Sequence, residues 1–329
     1  MRTVRKIVAG RLKKAAVLAT AAIILAFISG QLLLEAQRIE TAVSAVDDGS
    51  FQSSAPEDSE GGVIPQPWLT CRYYVDRDFQ RSLKAAVPVS HDGGRLIGGI
   101  VTHHLLADTM ISSFFTSISA VRPELVFIIG PNHKRVGNKK INTGHWDWQT
   151  PYGLLESDDA AVESLVKSCR AGEDFDLLEA EHSISSLVPY VKYYLPEAKI
   201  VPLLLHGNLG LEGSKDLAEK IRDAAGSRSW IVIGSIDFSH YLPPDTADKM
   251  DEITLEAIEA ADLRAISRMD NDYLDSPPSL MTILEIMRNQ GEYEMKVTEH
   301  SNSAKVTGMY SESTTSYFSI LFYDKEGGP

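Results

Sequence analysis

From about residue 84 onward, short apolar runs alternate with longer amphipathic stretches. The runs at Leu96–Thr102, Leu125–Gly130, Ile200–Leu205, Trp230–Gly234, Tyr293–Thr298 and Thr315–Phe322 predict strands. Several are almost continuously apolar, as expected of strands buried on both faces. Helices are predicted over Leu105–Ala120, Asp158–Arg170, Ser183–Leu195, Leu211–Ala225, Thr246–Met269 and Ser279–Asn289. This alternation implies an α/β chain, a three-layer α/β/α sandwich around a mixed, largely parallel sheet, spanning residues 67–329.

The pattern before that domain differs. Ala15 to Leu34 is a run of 20 residues without a charge, the length a helix needs to cross a bilayer. Residues 1–14 hold Arg2, Arg5, Lys6, Arg11, Lys13 and Lys14 and no acid, which predicts a cytoplasmic N-terminus. The segment has no polar face, so it does not read as a surface helix. The expectation is a single-pass anchor in the cytoplasmic membrane with the domain on the extracytoplasmic side. A cleaved signal peptide is the alternative, with Phe27 or Ile28 making a poor cleavage site. Residues 35–66 are acidic and rich in Ser, Gly and Pro, and read as a disordered linker.

Composition narrows the partners. The chain of 329 residues has a net charge of −13, and six of its 32 basic residues precede residue 35, so 26 remain against 45 acidic ones. So acidic a body repels phosphate backbones, which argues against nucleic acid. Only Cys71 and Cys169 are available for a disulfide, and free thiols fit as well. The chain lacks GxGxxG, Walker and GxSxG patterns, which disfavours the commonest dinucleotide, nucleotide and serine-hydrolase readings.

Polar residues directly after buried strands carry the candidate chemistry, because open α/β sheets bind ligands beyond their strands' carboxyl ends. IGGIVTHH ends in His103 and His104, LVFIIGPNH in His133, and WIVIGSIDFSH in Asp237 and His240. Imidazole is the commonest protein metal ligand, and a nearby carboxylate can orient the ring through its second nitrogen. A single strand-end histidine is more often a hydrogen-bonded loop residue; three ends converging on one crevice favour a site. Adjacent residues of a strand point to opposite faces, so only one of His103 and His104 is expected to enter it.

GPNH at 130–133, TPYG at 150–153, EHS at 181–183, VPLL at 201–204 and DFSH at 237–240 occur in an order that resembles the Memo-like family. Its members form the middle partner of the Ammecr–Memo–radical-SAM grouping in microbes. The resemblance runs from about residue 85 to 324 and implies a fold like that of class III extradiol dioxygenases, with a transition metal in the equivalent pocket. By position, the family's two metal histidines fall on His103 and His133. Its third ligand, a cysteine before a helix, falls at or near Asp275. Its Asp and His beside the metal fall on Asp237 and His240, and its Glu-His pair on Glu181 and His182. Thr102-His103-His104-Leu105 departs from the family's Pro-His-Ala-Gly, and Ser185 and Leu187 replace polar family residues.

Two imidazoles and a carboxylate form the set found at non-haem iron sites. A carboxylate also escapes the oxidation that a thiolate would suffer outside the membrane. Asp275 precedes Ser276-Pro277-Pro278, so capping the next helix is its other reading. The resemblance points to a metal-dependent oxidoreductase holding iron or copper, with zinc as the third candidate. His240 would serve as acid/base, oriented by Asp237, and His182 would be a second acid/base candidate. A non-catalytic metal- or peptide-binding protein and a metallohydrolase are the other readings. The substrate, small molecule or peptide, is not specified by these residues.

Overall fold

In the run Leu125–Pro131, Leu125, Phe127 and Ile129 pack into one apolar cluster, while Val126 and Ile128 pack into another. Side chains alternate across a strand, so a continuously apolar strand must be covered on both faces. Fully burying each such side chain stabilises the fold by about 1.5–3 kcal/mol. The computed structural model describes residues 67–89 and 93–325. The predicted anchor at 15–34 and linker at 35–66 lie outside the described residues. Among those described, no helix is long and apolar enough to cross a membrane.

In chain order the strands are β1 (Leu69–Thr70), β2 (Arg95–Val101), β3 (Leu125–Pro131), β4 (Ile141–Thr143), β5 (Trp148–Thr150) and β6 (Gly153–Leu155). They continue with β7 (Gly172–Glu173), β8 (Lys199–Leu205), β9 (Trp230–Ser235), β10 (His240–Leu242), β11 (Tyr293–Asn302) and β12 (Thr314–Asp324). The large sheet runs β10-β12-β2-β9-β3-β8-β4-β7, with β11 also paired to β12. Neighbours β2, β9, β3 and β8 are parallel, whereas β12 is antiparallel to β2, β10 and β11, and β4 to β8. The sheet is therefore mixed, with a parallel centre and antiparallel flanks. Strands β1, β5 and β6 form a separate three-stranded sheet.

One face is covered by helices Asp108–Ile118 and Val188–Tyr194, through Ile111, Phe114, Phe115 and Val191. The other is covered by Asp159–Cys169, Gly210–Ala225 and Pro277–Gln290, through Leu165, Leu217, Ile221 and Ile283. Cys71 packs against the first cluster and Cys169 against the second, and both are free thiols. The sheet stands between the two clusters, which accounts for the absence of a bond between them.

The register aligns the strand ends. Val101 pairs with Ser235, and Ile129 with Gly234. Strand β9 forms late in the chain but sits between β2 and β3, so three distant segments leave the sheet side by side. The predicted helix Ser183–Leu195 is two pieces, His182–Ser185 and Val188–Tyr194. Predicted Thr246–Met269 likewise splits into Pro244–Glu259 and Leu263–Ile266 at Ala261, which holds φ 47°.

Candidate metal centre

His103 follows β2 by two residues and is 2% exposed, while His104 turns outward and receives the Tyr317 hydroxyl at Nδ1, 2.7 Å away. The opposite directions expected of neighbouring residues thus bring His103 into the cluster. Its Nδ1 lies 3.0 Å from Ser235 Oγ, and that hydroxyl donates its own proton to the Ser183 carbonyl. Ser235 can then only accept from His103, which puts the imidazole proton on Nδ1 and leaves a lone pair on Nε2. That Nε2 is buried without a hydrogen-bond partner. It faces Asp275 Oδ2 at 3.4 Å and Asp237 Oδ2 at 3.5 Å. Burial holds the His103 pKa below its ordinary value, outweighing both carboxylates.

His133 stands at the end of β3 with a side chain 28% accessible. Its Nδ1 donates to Glu181 Oε1 at 2.8 Å and its backbone N–H to Glu181 Oε2 at 3.0 Å. This fixes the ring and turns Nε2 toward Asp275 Oδ2, 3.4 Å away. Burial opposes a charge on this ring, but Asp275 and Glu181 prevail and push its pKa up to about 10. Glu181 is 1% exposed and also accepts from His182 Nδ1 at 3.1 Å and Ser183 N at 3.2 Å. Although burial raises its carboxyl, the hydrogen bonds from His133 and His182 hold it well below the ordinary range. The His182 ring stacks on His133 with centroids 4.3 Å apart.

A glycine permits this arrangement. A Cβ on Gly130 would stand 2.8 Å from Ser183 Oγ, and without it Ser183 Oγ reaches the Pro131 carbonyl at 2.9 Å. The helix carrying His182 is thereby seated against the end of β3. Asp275 does not cap the helix after it: Ser276 does, through its hydroxyl and Ser279 N at 3.3 Å. The Asp275 side chain is 5% exposed, and its Oδ1 is buried without a partner.

Two donors held ~2.1 Å from an ion at angles between octahedral and tetrahedral stand ~3.0–3.4 Å apart. Asp275 Oδ2 at 3.4 Å from the Nε2 atoms of both His103 and His133 fits that separation. A neutral imidazole lone pair facing two buried carboxylates is an arrangement that a cation between them would relieve. These residues could therefore hold a metal ion, within two overlapping groups, His103–His133–His182 and His103–Asp237–Asp275.

Asp237 does not orient His240 as expected. Its Oδ1 accepts from the Thr102 hydroxyl and from His103 N at 3.2 Å, which ties the end of β2 to the end of β9. His240 Nδ1 is instead buried without a partner, and the residue lines a pocket of about 90 Å³ together with His133 and Asp275. His206 accepts at Nδ1 from Asn208 N at 3.2 Å. His145 pairs with Glu173 at 3.0 Å beside an acidic hollow of about 860 Å³ that shares no lining residue with the cluster. Trp148 is fully buried, and the Tyr152 hydroxyl lies 3.1 Å from that of Tyr74, so this aromatic stretch is a packed one. Ser185 Oγ is buried without a partner and Leu187 packs in the core, so neither assists the cluster.

Sequence reasoning missed the hydroxyls around the cluster. Ser235 sets the His103 ring, Thr102 holds Asp237, Ser183 bonds the Pro131 carbonyl and Ser186 the His182 carbonyl at 2.7 Å, and none carries a pattern of its own. Thr102 and Ser235 alone have a signal, their position directly at the ends of apolar runs.

A family model for Memo-like protein matches residues 99–321. A MEMO1 family protein from Pyrobaculum aerophilum is 28% identical over 241 residues, covering 70% of this chain and 85% of that protein. Another, from Methanobrevibacter smithii, is 30% identical over 243 residues, covering 72% of this chain and 82% of that protein. The structure of an uncharacterized protein from Escherichia coli K12 aligns with TM-score 0.47 and 13% identity, covering 70% of this chain and 100% of that one. That likeness is too coarse to bear on the site. The family match is sufficient without it, and all the clustered histidines and carboxylates lie inside the matched residues. The chain belongs to the Memo-like family.

Proposed function

We propose that His103, His133 and Asp275 hold a transition metal, iron or copper in preference to zinc, and that the protein is a metal-dependent oxidoreductase tethered to the membrane by residues 15–34. The observation that carries the metal assignment is the pair of buried, unpartnered atoms, His103 Nε2 and Asp275 Oδ1, within the His103–Asp237–Asp275 group, which His133 Nε2 joins at 3.4 Å from Asp275 Oδ2. Glu181 and Ser235 support it, since each accepts from Nδ1 of one ring and so turns Nε2 to the site; an ion would take the place of the proton that Asp275 and Glu181 favour on His133.

Bound there, an iron or copper ion would supply Lewis acidity and one-electron chemistry at open positions. The remaining work belongs to the chain. His240, which lines the same pocket as Asp275, would take or return a substrate proton. His182, held at Nδ1 by Glu181, would be the second acid/base, through Nε2. Burial of His103, Asp237 and Asp275 excludes water from one side of the centre.

The test is metal content of the purified protein beside His133→Ala and Asp275→Ala, followed by dioxygen uptake. About one equivalent, lost in both variants, is the expected result. A site empty after anaerobic reconstitution sinks the proposal. Three imidazoles, His103, His133 and His182, also lie together. That set favours zinc or copper and supports a second reading, a metal carrier or metallohydrolase. Retention of metal in Asp275→Ala and its loss in His182→Ala would select it.

A further inference from the structure

Among the described residues, the loop from Lys134 to Lys140 stands out as basic on an acidic domain. It contains Lys134, Arg135, Lys139 and Lys140 and no acid. None of the four forms an ion pair among the described residues. Arg135 lines the pocket that also exposes His133, His240 and Asp275, and it is the one permanently cationic residue of that lining. Asn271, flanked in the chain by Asp270 and Asp272, lines it too, as does the Asp275 carboxylate, so Arg135 is the group there whose positive charge does not depend on a proton shared with a carboxylate.

Hydrogen bonds fix the backbone from which that side chain springs. Asn132 Nδ2 donates to the Val136 carbonyl at 2.8 Å, and Arg135 N donates to the Asn132 carbonyl at 3.1 Å. The turn they close puts Arg135 at φ 50°, a left-handed conformation uncommon for a long side chain. Tyr241 is also left-handed, at φ 61°, lines the same pocket, and is 71% exposed. Two of the four non-glycine residues with positive φ among those described thus share one small opening. Strained backbone collects where side chains must be aimed at a ligand.

We propose that Arg135 anchors an oxyanion group of the substrate, a carboxylate or a phosphate, at the mouth of the metal pocket, with the Tyr241 ring as the platform beside it. This deepens the oxidoreductase reading and rests on it for the identity of the reacting centre. A guanidinium grips either oxyanion through two parallel N–H bonds, which a lysine does not reproduce. Gripped outside the metal donors, the anion would leave them free for the rest of the molecule.

The experiment titrates the full-length protein with benzoate, phenyl phosphate and the neutral benzamide, in metal-loaded and chelator-treated samples. Wild type is compared with Arg135→Gln, Arg135→Lys and Lys139→Gln, a charge removed from the same loop outside the pocket. Arg135→Gln is expected to weaken one or both anions by roughly tenfold to a hundredfold, as for a lost charge-assisted hydrogen bond, and to leave benzamide unchanged. Arg135→Lys should recover only part of the loss, and Lys139→Gln should change little. The preferred anion identifies the source, carboxylate or phosphate. The proposal is overturned if neither anion binds wild type, if benzamide weakens in parallel, or if Lys139→Gln equals Arg135→Gln. Metal content measured in the same samples keeps the two readings apart. Loss of anion binding at unchanged metal tests Arg135, whereas a protein that never takes metal refutes the oxidoreductase reading alone.

Discussion

Replacing Glu181 by glutamine isolates what a carboxylate behind the proposed metal ligand His133 contributes. The side chain is nearly the same size, but one acceptor oxygen becomes a donor and the charge disappears. Glu181 Oε1 takes His133 Nδ1 at 2.8 Å, His182 Nδ1 at 3.1 Å and Ser183 N at 3.2 Å, and Oε2 takes His133 N at 3.0 Å. The amide oxygen can keep the first three only if its NH2 faces the His133 N–H, donor against donor. One hydrogen bond to a charged acceptor is lost, about 1.5–3 kcal/mol of stability. Metal affinity should fall by about ten- to a hundredfold, the usual cost of removing an outer partner of a ligating histidine. That is roughly 1.4–2.8 kcal/mol. Competition against a chromophoric chelator reads the affinity, and urea unfolding with and without metal reads the stability. The increment that saturating metal adds to stability should shrink by the affinity loss. The sign with pH is also fixed. A carboxyl depressed in the folded state stabilises above its unfolded pKa of ~4.3 and loses that contribution as pH falls further. The gap between wild type and Glu181→Gln should therefore narrow in acid. A variant that is destabilised yet binds metal within twofold of wild type would refute the reasoning and leave Glu181 as a helix cap.

Other perturbations test the scaffold. Asp251 is fully buried and accepts from Ser239 Oγ at 2.6 Å, Ser316 Oγ at 2.7 Å and His300 Nε2 at 2.8 Å, so Asp251→Ala should cost about 3–5 kcal/mol in chemical denaturation. A loss under 1 kcal/mol would mean the network relaxes onto water. Gly99→Ala would place its Cβ 2.5 Å from Phe114 Cε2 and 2.6 Å from the Ile320 carbonyl, and should destabilise by about 1–3 kcal/mol, read as a lower melting temperature. Burial pushes the Cys71 thiol up to about 12, leaving about one thiolate in ten thousand at pH 8. Iodoacetamide should accordingly label it only after unfolding; labelling of native protein at the unfolded rate would contradict the burial described.

The sequence was most legible where one physical demand dominates. Strands β2, β3, β8 and β9 must be apolar on both faces, so they stand out, and the residues just past three of them, His103, His133 and Asp237, are placed by their shared register. Short elements did not stand out. Strands β4, β7 and β10 have two or three residues each, too few for a period, and they exist because neighbours supply their partners. The resemblance pairs Asp237 with His240, but the hydroxyl of Thr102 takes its carboxylate across 135 residues. That distance in sequence also hid Tyr317 behind His104 and Asp251 behind His300.

The order of assembly has a consequence for which ion the protein acquires. Strand β9 inserts between β2 and β3, so Ser235 and Asp237 reach His103 only after residues far down the chain have been added, and Asp275 comes later still. A nascent chain that ends before β9 has Glu181 to orient His133 and His182 but lacks Ser235, Asp237 and Asp275, so His103 is unoriented and the carboxylates facing it are missing. Were an ion bound there, its selection would thus be deferred until the sheet is complete and Asp275 has joined the three imidazoles.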